Sequence, residues 1–487
     1  MSGRQRLSAS AFLICSAILF LGQPYRAIRA VFSGWLPTIA VNWKYFSLVD
    51  SQYWWMLLGL VLATVLINVI YPFLDMLKVE HRRKFFLILS IFTNLLILGI
   101  FKYYNFFADN FAALIQSLFH ITPETWGLNI VLPVGISFYT FQTMSYTIDV
   151  YRRKATASHS LLEVAAYISF FPQLVAGPIE RGGHLLPQFQ KPRSMNLTDL
   201  REGLWLIAWG LCKKMVVADN VAKIVNGTFA PFDKLNSAIT VPEDGMRLLV
   251  AIYAFAFQIY CDFSGYSDVA RGTARLLGFD VMVNFNLPYF ARNPSDFWRR
   301  WHISLSTWLR DYLYIPLGGN RSGTFKLYRN LMITMLLGGL WHGAAWTFVL
   351  WGGFHGIILI LYRVLGSDSD EVPSKWWVPV LQGVLMFHIV CFGWLIFRAQ
   401  NLTTIGIFLQ SILLHPYWSG EAVDCLKSLV FYSWFLVLFE IVQASKNTLD
   451  LMPHIPQFIR LNVWVFVVMS LLSIASEGGQ EFIYFAF

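Results

Sequence analysis

The strongest constraint on this chain is the recurrence, from one end of its 487 residues to the other, of apolar stretches close to the length of a membrane-spanning helix. A spanning helix needs roughly 20 mostly apolar residues, and residues 53–73 and 85–107 each meet that requirement. Further apolar stretches run near 130–148, 161–175, 204–217, 246–260, 331–361, 376–397, 429–442 and 463–474. No long polar interruption divides them, so the chain reads as one membrane-embedded, all-α domain over 1–487. Only 13% of its residues are charged, against about a quarter in a soluble domain.

Several of these stretches are too short, or too broken by glycine and proline, to be plain spans. Irregular backbone is tolerated at membrane depth only where protein or a cavity covers it, so Phe171-Pro172 and Gly177-Pro178 predict a re-entrant segment at a site. No repeat at a fixed period is visible, which argues against an inverted-repeat transporter.

The net charge of +9 does not point to nucleic acid, because the basic residues sit in short loops between apolar runs. Such loops stay cytoplasmic, and 78–84, 152–154 and 321–329 are assigned there. The five cysteines contain no C-x-x-C pair, so neither a zinc site nor a disulfide framework is expected, and no metal is assigned. Arg4 and Arg6 before the apolar run 11–21 imitate a signal peptide, but Gly22-Gln23-Pro24 is not a small-x-small cleavage site, so a retained helix is expected.

Two segments carry chemistry. In the first, Asn293 suits a helix N-cap, Pro294 the first helical position and Asp296 the positive dipole end. Trp298, His302, Leu305 and Leu309 then recur at helical spacing while Arg300, Ser304, Thr307 and Asp311 fall on another face. That pattern predicts a helix along the cytoplasmic interface, with Phe297, Trp298, Trp301, Trp308 and Tyr312 in the headgroup layer and Arg299, Arg300 and Arg310 on membrane-lipid phosphates. In the second, 331–361 is one strongly tilted helix or two short ones, with Gly338-Gly339, Gly343 and Gly352-Gly353 as places to break. His342 lies near its middle, and an ionisable group at membrane depth is a functional candidate by default.

The run Asp296-Phe-Trp-Arg-Arg-Trp-His-Ile-Ser-Leu-Ser-Thr-Trp-Leu-Arg-Asp-Tyr-Leu-Tyr-Ile-Pro-Leu-Gly-Gly-Asn-Arg321 closely resembles the signature of bacterial membrane-bound O-acyltransferases of the alginate O-acetylation type. The resemblance continues through Gly338-Gly-Leu-Trp-His-Gly343, Leu132-Pro-Val-Gly-Ile-Ser-Phe-Tyr139 with Ile148-Asp-Val-Tyr151, Gln173-Leu-Val-Ala-Gly-Pro178 and Asp262-Phe-Ser-Gly-Tyr-Ser-Asp268. Teichoic acid D-alanyl transferases and peptidoglycan O-acetyltransferases look like relatives on the same motifs. Residues 1–52 do not visibly match, and Ala344-Ala345 stand where an asparagine beside Trp346 is the alginate-type pattern.

The resemblance implies a polytopic bacterial inner-membrane protein, a ring of transmembrane helices with re-entrant and interfacial helices around a thinned, pore-like centre. It implies His342 as catalytic base and His302 as a second histidine that orients it or holds the donor. The donor would be acyl-CoA or an acylated carrier protein, attracted by a basic rim that includes Arg299 and Arg300, with no cofactor tightly bound. Trp341 and Trp298 fall to substrate binding, while Asp262 and Asp268 either order a histidine or cap and pair with Arg271 or Arg275. The acceptor side is a polysaccharide, reached directly or through an extracytoplasmic acyltransferase partner.

The last residues, 481–487, resemble an F-x-Y-x-x-F ending carried by alginate-type relatives. Phe482, Tyr484 and Phe487 fit it residue by residue, with Tyr484 as an acyl acceptor whose hydroxyl, of pKa about 10, gives up its proton more readily than a sugar alcohol. The competing class is a transporter or scaffold for a polysaccharide or lipid-linked sugar, which has no particular need of two Trp-His motifs.

Overall fold

In the computed structural model, the structure describes residues 76–121, 127–128, 132–175, 177–233, 241–321, 323–366, 375, 377–476, 480 and 482–483. The expected helices at 11–21 and 53–73, and Tyr484 and Phe487, lie outside the described residues. Every regular element among the described residues is helical. The chain divides into two units, 1–90 with 158–161, and 91–157 with 162–487.

In the first unit the basic cluster differs from expectation. It is no loop: Val79 opens α1 (Val79–Leu98), and Glu80 in its first turn suits the positive end of the helix dipole. Residues 158–160 form a small turn in which the Ser160 amide donates to Ser158 Oγ at 3.0 Å.

In the second unit, α1 ends at a π-turn, Gly99–Tyr103, before α2 (Tyr104–Phe119). There follow α3 (Ile136–Tyr151), α4 (Leu161–Ile168), α5 (Gly182–Phe189), α6 (Leu197–Leu211) and α7 (Asp219–Asp233). Next come α8 (Gly245–Leu276), α9 (Pro294–Arg300), α10 (Ile303–Leu309), α11 (Thr324–His342) and α12 (Trp346–Val364). The chain continues with α13 (Trp377–Arg398), α14 (Leu402–Leu414), α15 (Gly420–Lys446) and α16 (Gln457–Ser473). Among the described residues five helices are long and apolar enough to cross a membrane: the 79–119 run, α8, α12, α13 and α15.

The core is built on α8. Its residues from Gly245 to Ala274 are mostly buried, and α6 lies against it backbone to backbone: a Cβ at Gly210 would stand 2.5 Å from Gly265 O. In lipid, close approach of this kind replaces the hydrophobic drive that holds helices together in water.

Of the two forms expected for 331–361 the structure takes the second: two helices, broken at Gly343, one of the three expected places, and not at either glycine pair. Those pairs serve packing instead, since a Cβ at Gly339 would meet Phe348 O at 2.2 Å and one at Gly352 would meet Met335 O at 2.3 Å. The 292–321 segment is no continuous interfacial helix: α9 stops at Arg300, α10 starts at Ile303, and a π-turn follows over Arg310–Tyr314. Of the five aromatics expected in the headgroup layer, Phe297, Trp301 and Trp308 are buried in the core, and Trp298 and Tyr312 are half-buried. The Phe171–Val175 stretch is a chain of turns, as its Pro and the following Gly-Pro suggest.

Candidate active site

The N-cap expected for α9 forms, with Asn293 Oδ1 accepting from the Asp296 amide at 2.7 Å. The helix cannot continue past Trp301, because His302 adopts the left-handed conformation (φ 43°, ψ 54°), one that histidine enters more readily than bulky or branched residues. This kink takes His302 off any amphipathic surface into the interior, where it is 0% exposed. The extended strip at Asn284–Asn286 runs beside the break, its backbone bonded to Arg300 and Ile303 at 2.9 Å each.

Asn284 then fixes the imidazole. Its Oδ1 lies 3.1 Å from His302 Nδ1, 2.9 Å from Ser304 Oγ and 3.3 Å from the Ser304 amide nitrogen. An amide N–H only donates, so the atom it meets is the carboxamide oxygen, and His302 Nδ1 must carry the proton. His302 Nε2 is thereby left with its lone pair, and it has no hydrogen-bond partner among the described residues.

His342 is the last residue of α11 and is 5% exposed. Its ring centroid is 6.5 Å from that of His302. Trp341 and Trp351 stand edge-on to it at 5.1 Å each, and Phe397 at 5.6 Å; Trp341 also meets His302 at 6.0 Å, so the two histidines share buried aromatic surroundings. Phe138 stacks on His302 at 6.2 Å and Phe263 meets it edge-on at 4.6 Å.

The recognisable motifs converge here. Gly135, left-handed at φ 76°, starts α3 where any Cβ would strike Leu174 O at 2.3 Å, locking the Leu132–Tyr139 motif onto the Gln173–Pro178 motif. The Ile179 amide donates to Ser304 Oγ at 3.0 Å, and the Tyr312 hydroxyl donates to Asp149 at 2.6 Å. Ser267 Oγ accepts from Asn284 Nδ2 at 3.2 Å, which brings in the Asp262–Asp268 motif.

Other candidates are placed differently. Trp298 packs on Trp351 at 5.7 Å and on His355 at 5.1 Å, one indole removed from His342. Arg300 is held by Asp296 at 2.7 Å, while Arg299 is half-exposed and 3.8 Å from the same carboxylate. Asp262 pairs with Lys214 at 2.7 Å, not with an arginine or a histidine, and its other oxygen accepts from the Ile483 amide at 2.7 Å. Lys214 also reaches Asp219 at 2.8 Å and the Gln480 carbonyl at 3.0 Å. Asp268 takes Lys213 at 2.7 Å and Arg271 at 3.4 Å, and Arg275 goes to Glu202. Phe482 is buried against Tyr266 at 5.2 Å and Phe263 at 6.3 Å.

Sequence reasoning missed Asn284, Lys102 and His355. Asn284 lies in an irregular strip with no periodicity to mark it. Lys102 sits in an apolar run, which was itself a signal, and its ammonium meets the carbonyls of Trp341 and His342 at 2.9 and 2.8 Å. His355, at membrane depth in α12, stacks on Phe297 at 6.1 Å and is 1% exposed. A cavity of about 160 Å³ between α6, α8 and α15 is also new. Within its wall Lys213 and Arg271 pair with Asp268 and Arg275 with Glu202, the Tyr260 hydroxyl donates to Glu440 at 2.5 Å, and Phe285 and Phe263 stand between it and His302.

The chain is 46% identical over 335 residues, 68% of its length, to the probable alginate O-acetylase AlgI of Pseudomonas aeruginosa, covering 61% of that protein. It is 38% identical over 347 residues (66% and 63%) to the peptidoglycan O-acetyltransferase of Helicobacter pylori, and 27% identical over 299 residues (58% and 73%) to the teichoic acid D-alanyltransferase of Bacillus subtilis. It thus spans about three fifths of the length of the alginate relatives it matches. The sequence pattern of MBOAT, the membrane-bound O-acyltransferase family, matches residues 135–399, a stretch that holds both histidines, Asn284 and the α8 motif. The chain belongs to the membrane-bound O-acyltransferase family.

Proposed function

We propose that this protein is a bacterial inner-membrane O-acyltransferase that moves an acyl group, acetyl in the first instance, from a cytoplasmic thioester to an extracytoplasmic polysaccharide or partner acyltransferase. The observation that carries the reading is the buried pair His302 and His342, 6.5 Å apart, with the tautomer of His302 set by Asn284. Acyl transfer from a thioester needs a base for the acceptor hydroxyl and little else by way of activation. His342 takes the hydroxyl proton as the oxygen attacks the thioester carbon. The C–S bond breaks as the tetrahedral adduct collapses, and the departing thiolate recovers the proton from the imidazolium. His302 Nε2 accepts a hydrogen bond from donor or acceptor and so aligns them.

Tyr484 is the first acceptor in this reading. Supporting it, the two residues before it are docked: the Ile483 amide on Asp262, and Phe482 against Phe263, the ring that touches His302. The acyl-tyrosine would then pass its group outward, dividing one hard transfer into two.

The test is O-acetyl content of cell-surface polymers by mass spectrometry in cells carrying His342→Ala or Tyr484→Phe. Both variants should abolish acylation while polymer export continues. Unchanged acylation in His342→Ala overturns the enzyme reading, and lost export favours a transporter. Unchanged acylation in Tyr484→Phe removes only the tyrosine step.

A further inference from the structure

The last carbonyls of a helix have no partner within it. α11 ends on His342 in the protein interior, and Gly343 leaves it in extended conformation (φ −159°, ψ 151°), so the helix does not cap itself. Its final three carbonyls are satisfied from one place. The Tyr103 hydroxyl donates to Leu340 O at 3.0 Å, and Lys102 Nζ donates to Trp341 O at 2.9 Å and to His342 O at 2.8 Å. Lys102 and Tyr103 close the π-turn Gly99–Tyr103, a kind of local irregularity found often at functional sites.

A neutral group would satisfy these carbonyls equally well. The chain instead places an ammonium inside a run apolar enough to cross a membrane, where a charge is costly. What the ammonium adds is positive charge at the negative end of the helix dipole. That end favours a cation in its last turn, and the ionisable side chain in that turn is the imidazole of His342. With the position empty, the helix end would stabilise the imidazolium, which has no lone pair to accept a proton. Among the described residues, the other ionisable groups around His342 are the Tyr103 hydroxyl on Leu340 O, His302 at 6.5 Å, and His355 beyond Trp351, which contacts both rings at 5.1 and 4.8 Å.

We propose that Lys102 is a positioning residue for acyl transfer: its ammonium anchors the helix end that carries His342 and takes the cation position there, so that His342 stays a neutral base. The inference rests on His342 being that base.

The test is the pH profile of thiol release from acetyl-CoA by the purified protein in vesicles. Lys102→Gln keeps a donor for the carbonyls and loses the charge, and the acid limb should move up by about one pH unit, a roughly tenfold loss of rate on that limb. Lys102→Arg keeps the charge, and Tyr103→Phe removes a neutral bond from the same helix end. Both should keep the wild-type limb. A Lys102→Gln limb that does not move, or a Tyr103→Phe limb that moves as far, overturns the proposal. So does a Lys102→Gln protein that fails to fold where Lys102→Arg folds, since the role is then structural. Activity in His342→Ala removes both this inference and the base it rests on, whereas an inactive His342→Ala with an unmoved Lys102→Gln limb removes the lysine's role alone.

Discussion

Replacing Asn284 by alanine strands two buried N–H donors at once and takes the acceptor from the Ser304 hydroxyl, which can rotate. The Ser304 amide and His302 Nδ1–H both point at Asn284 Oδ1, and both residues are 0% exposed. A buried donor without a partner costs about 1–3 kcal/mol, so the pair amounts to about 2–6 kcal/mol. Water entering the vacated space recovers part of this, giving an expected destabilisation of about 3 kcal/mol. Activity should fall further than stability explains. The imidazole loses what fixes its tautomer and its plane, and a misplacement of about 1 Å in such a site is worth about a hundredfold in rate. The assay is thermal unfolding in detergent beside thiol release from acetyl-CoA, with Asn286→Ala as the control. Asn286 is exposed, and its bonds to Arg300 use its backbone, so that change should cost under about 0.5 kcal/mol. An Asn284→Ala protein that melts and turns over like wild type would refute the assignment of Asn284 as the anchor of His302.

Other outcomes follow from the same contacts. Gly352→Ala would put a Cβ 2.3 Å from Met335 O in rigid backbone and should cost at least about 1–3 kcal/mol, whereas Gly383→Ala, with nothing within 4 Å, should be neutral or stabilising in a melting assay. Asp262→Asn breaks the Lys214 pair and weakens the hold on Ile483, so limited proteolysis should clip the C-terminus faster; an unchanged rate contradicts the clamp. His184, on α5, is pushed up to about 10 by Asp280 and Glu180, while Asp280 is held below the usual carboxylate range by His184. A raised histidine stabilises fully below its unfolded pKa of about 6.5 and loses that contribution as pH rises through the folded value. His184→Gln should therefore melt lower than wild type near pH 6, and the gap should close towards pH 10. With the ring 40% exposed, solvent screening keeps the effect small.

The parts legible in sequence were those with a local cause. Asn293-Pro294-Ser295-Asp296 specifies a helix start by chemistry within four residues, and the cap forms as read. The burial of His342 followed from an ionisable group in an apolar run. The failures are non-local. Helical spacing put Ser304 on a polar outer face, but the left-handed turn at His302 rotates everything after it, and Ser304 becomes a buried partner of Asn284. Period-based reading cannot see one residue that changes hand. The aromatics of 297–308 looked suited to the headgroup layer because Trp and Phe are equally at home there and in a core; packing against α12 and α13 decides between the two, as the contacts of Trp301 with Trp394 and of Trp298 with Trp351 show. Asp268 does meet Arg271 as expected, but its shorter contact is Lys213, and Asp262 takes Lys214; both lysines lie 48 or more positions upstream, beyond the reach of local spacing.

The cap on α11 also imposes an order of events during synthesis. Lys102 precedes its partner His342 by 240 residues, so the ammonium is made long before the carbonyls that receive it. At about 5–20 residues per second, the ribosome needs tens of seconds to supply them. During that interval the 79–119 run holds a lysine without those carbonyls, at a penalty of about 2.5–3.5 kcal/mol for a central position, which snorkelling lowers. A nascent chain stopped before Thr324 never receives the partner. Such a partial product keeps an uncompensated charge in a helix that must sit in lipid, and should insert less stably than the longer chain that supplies the carbonyls.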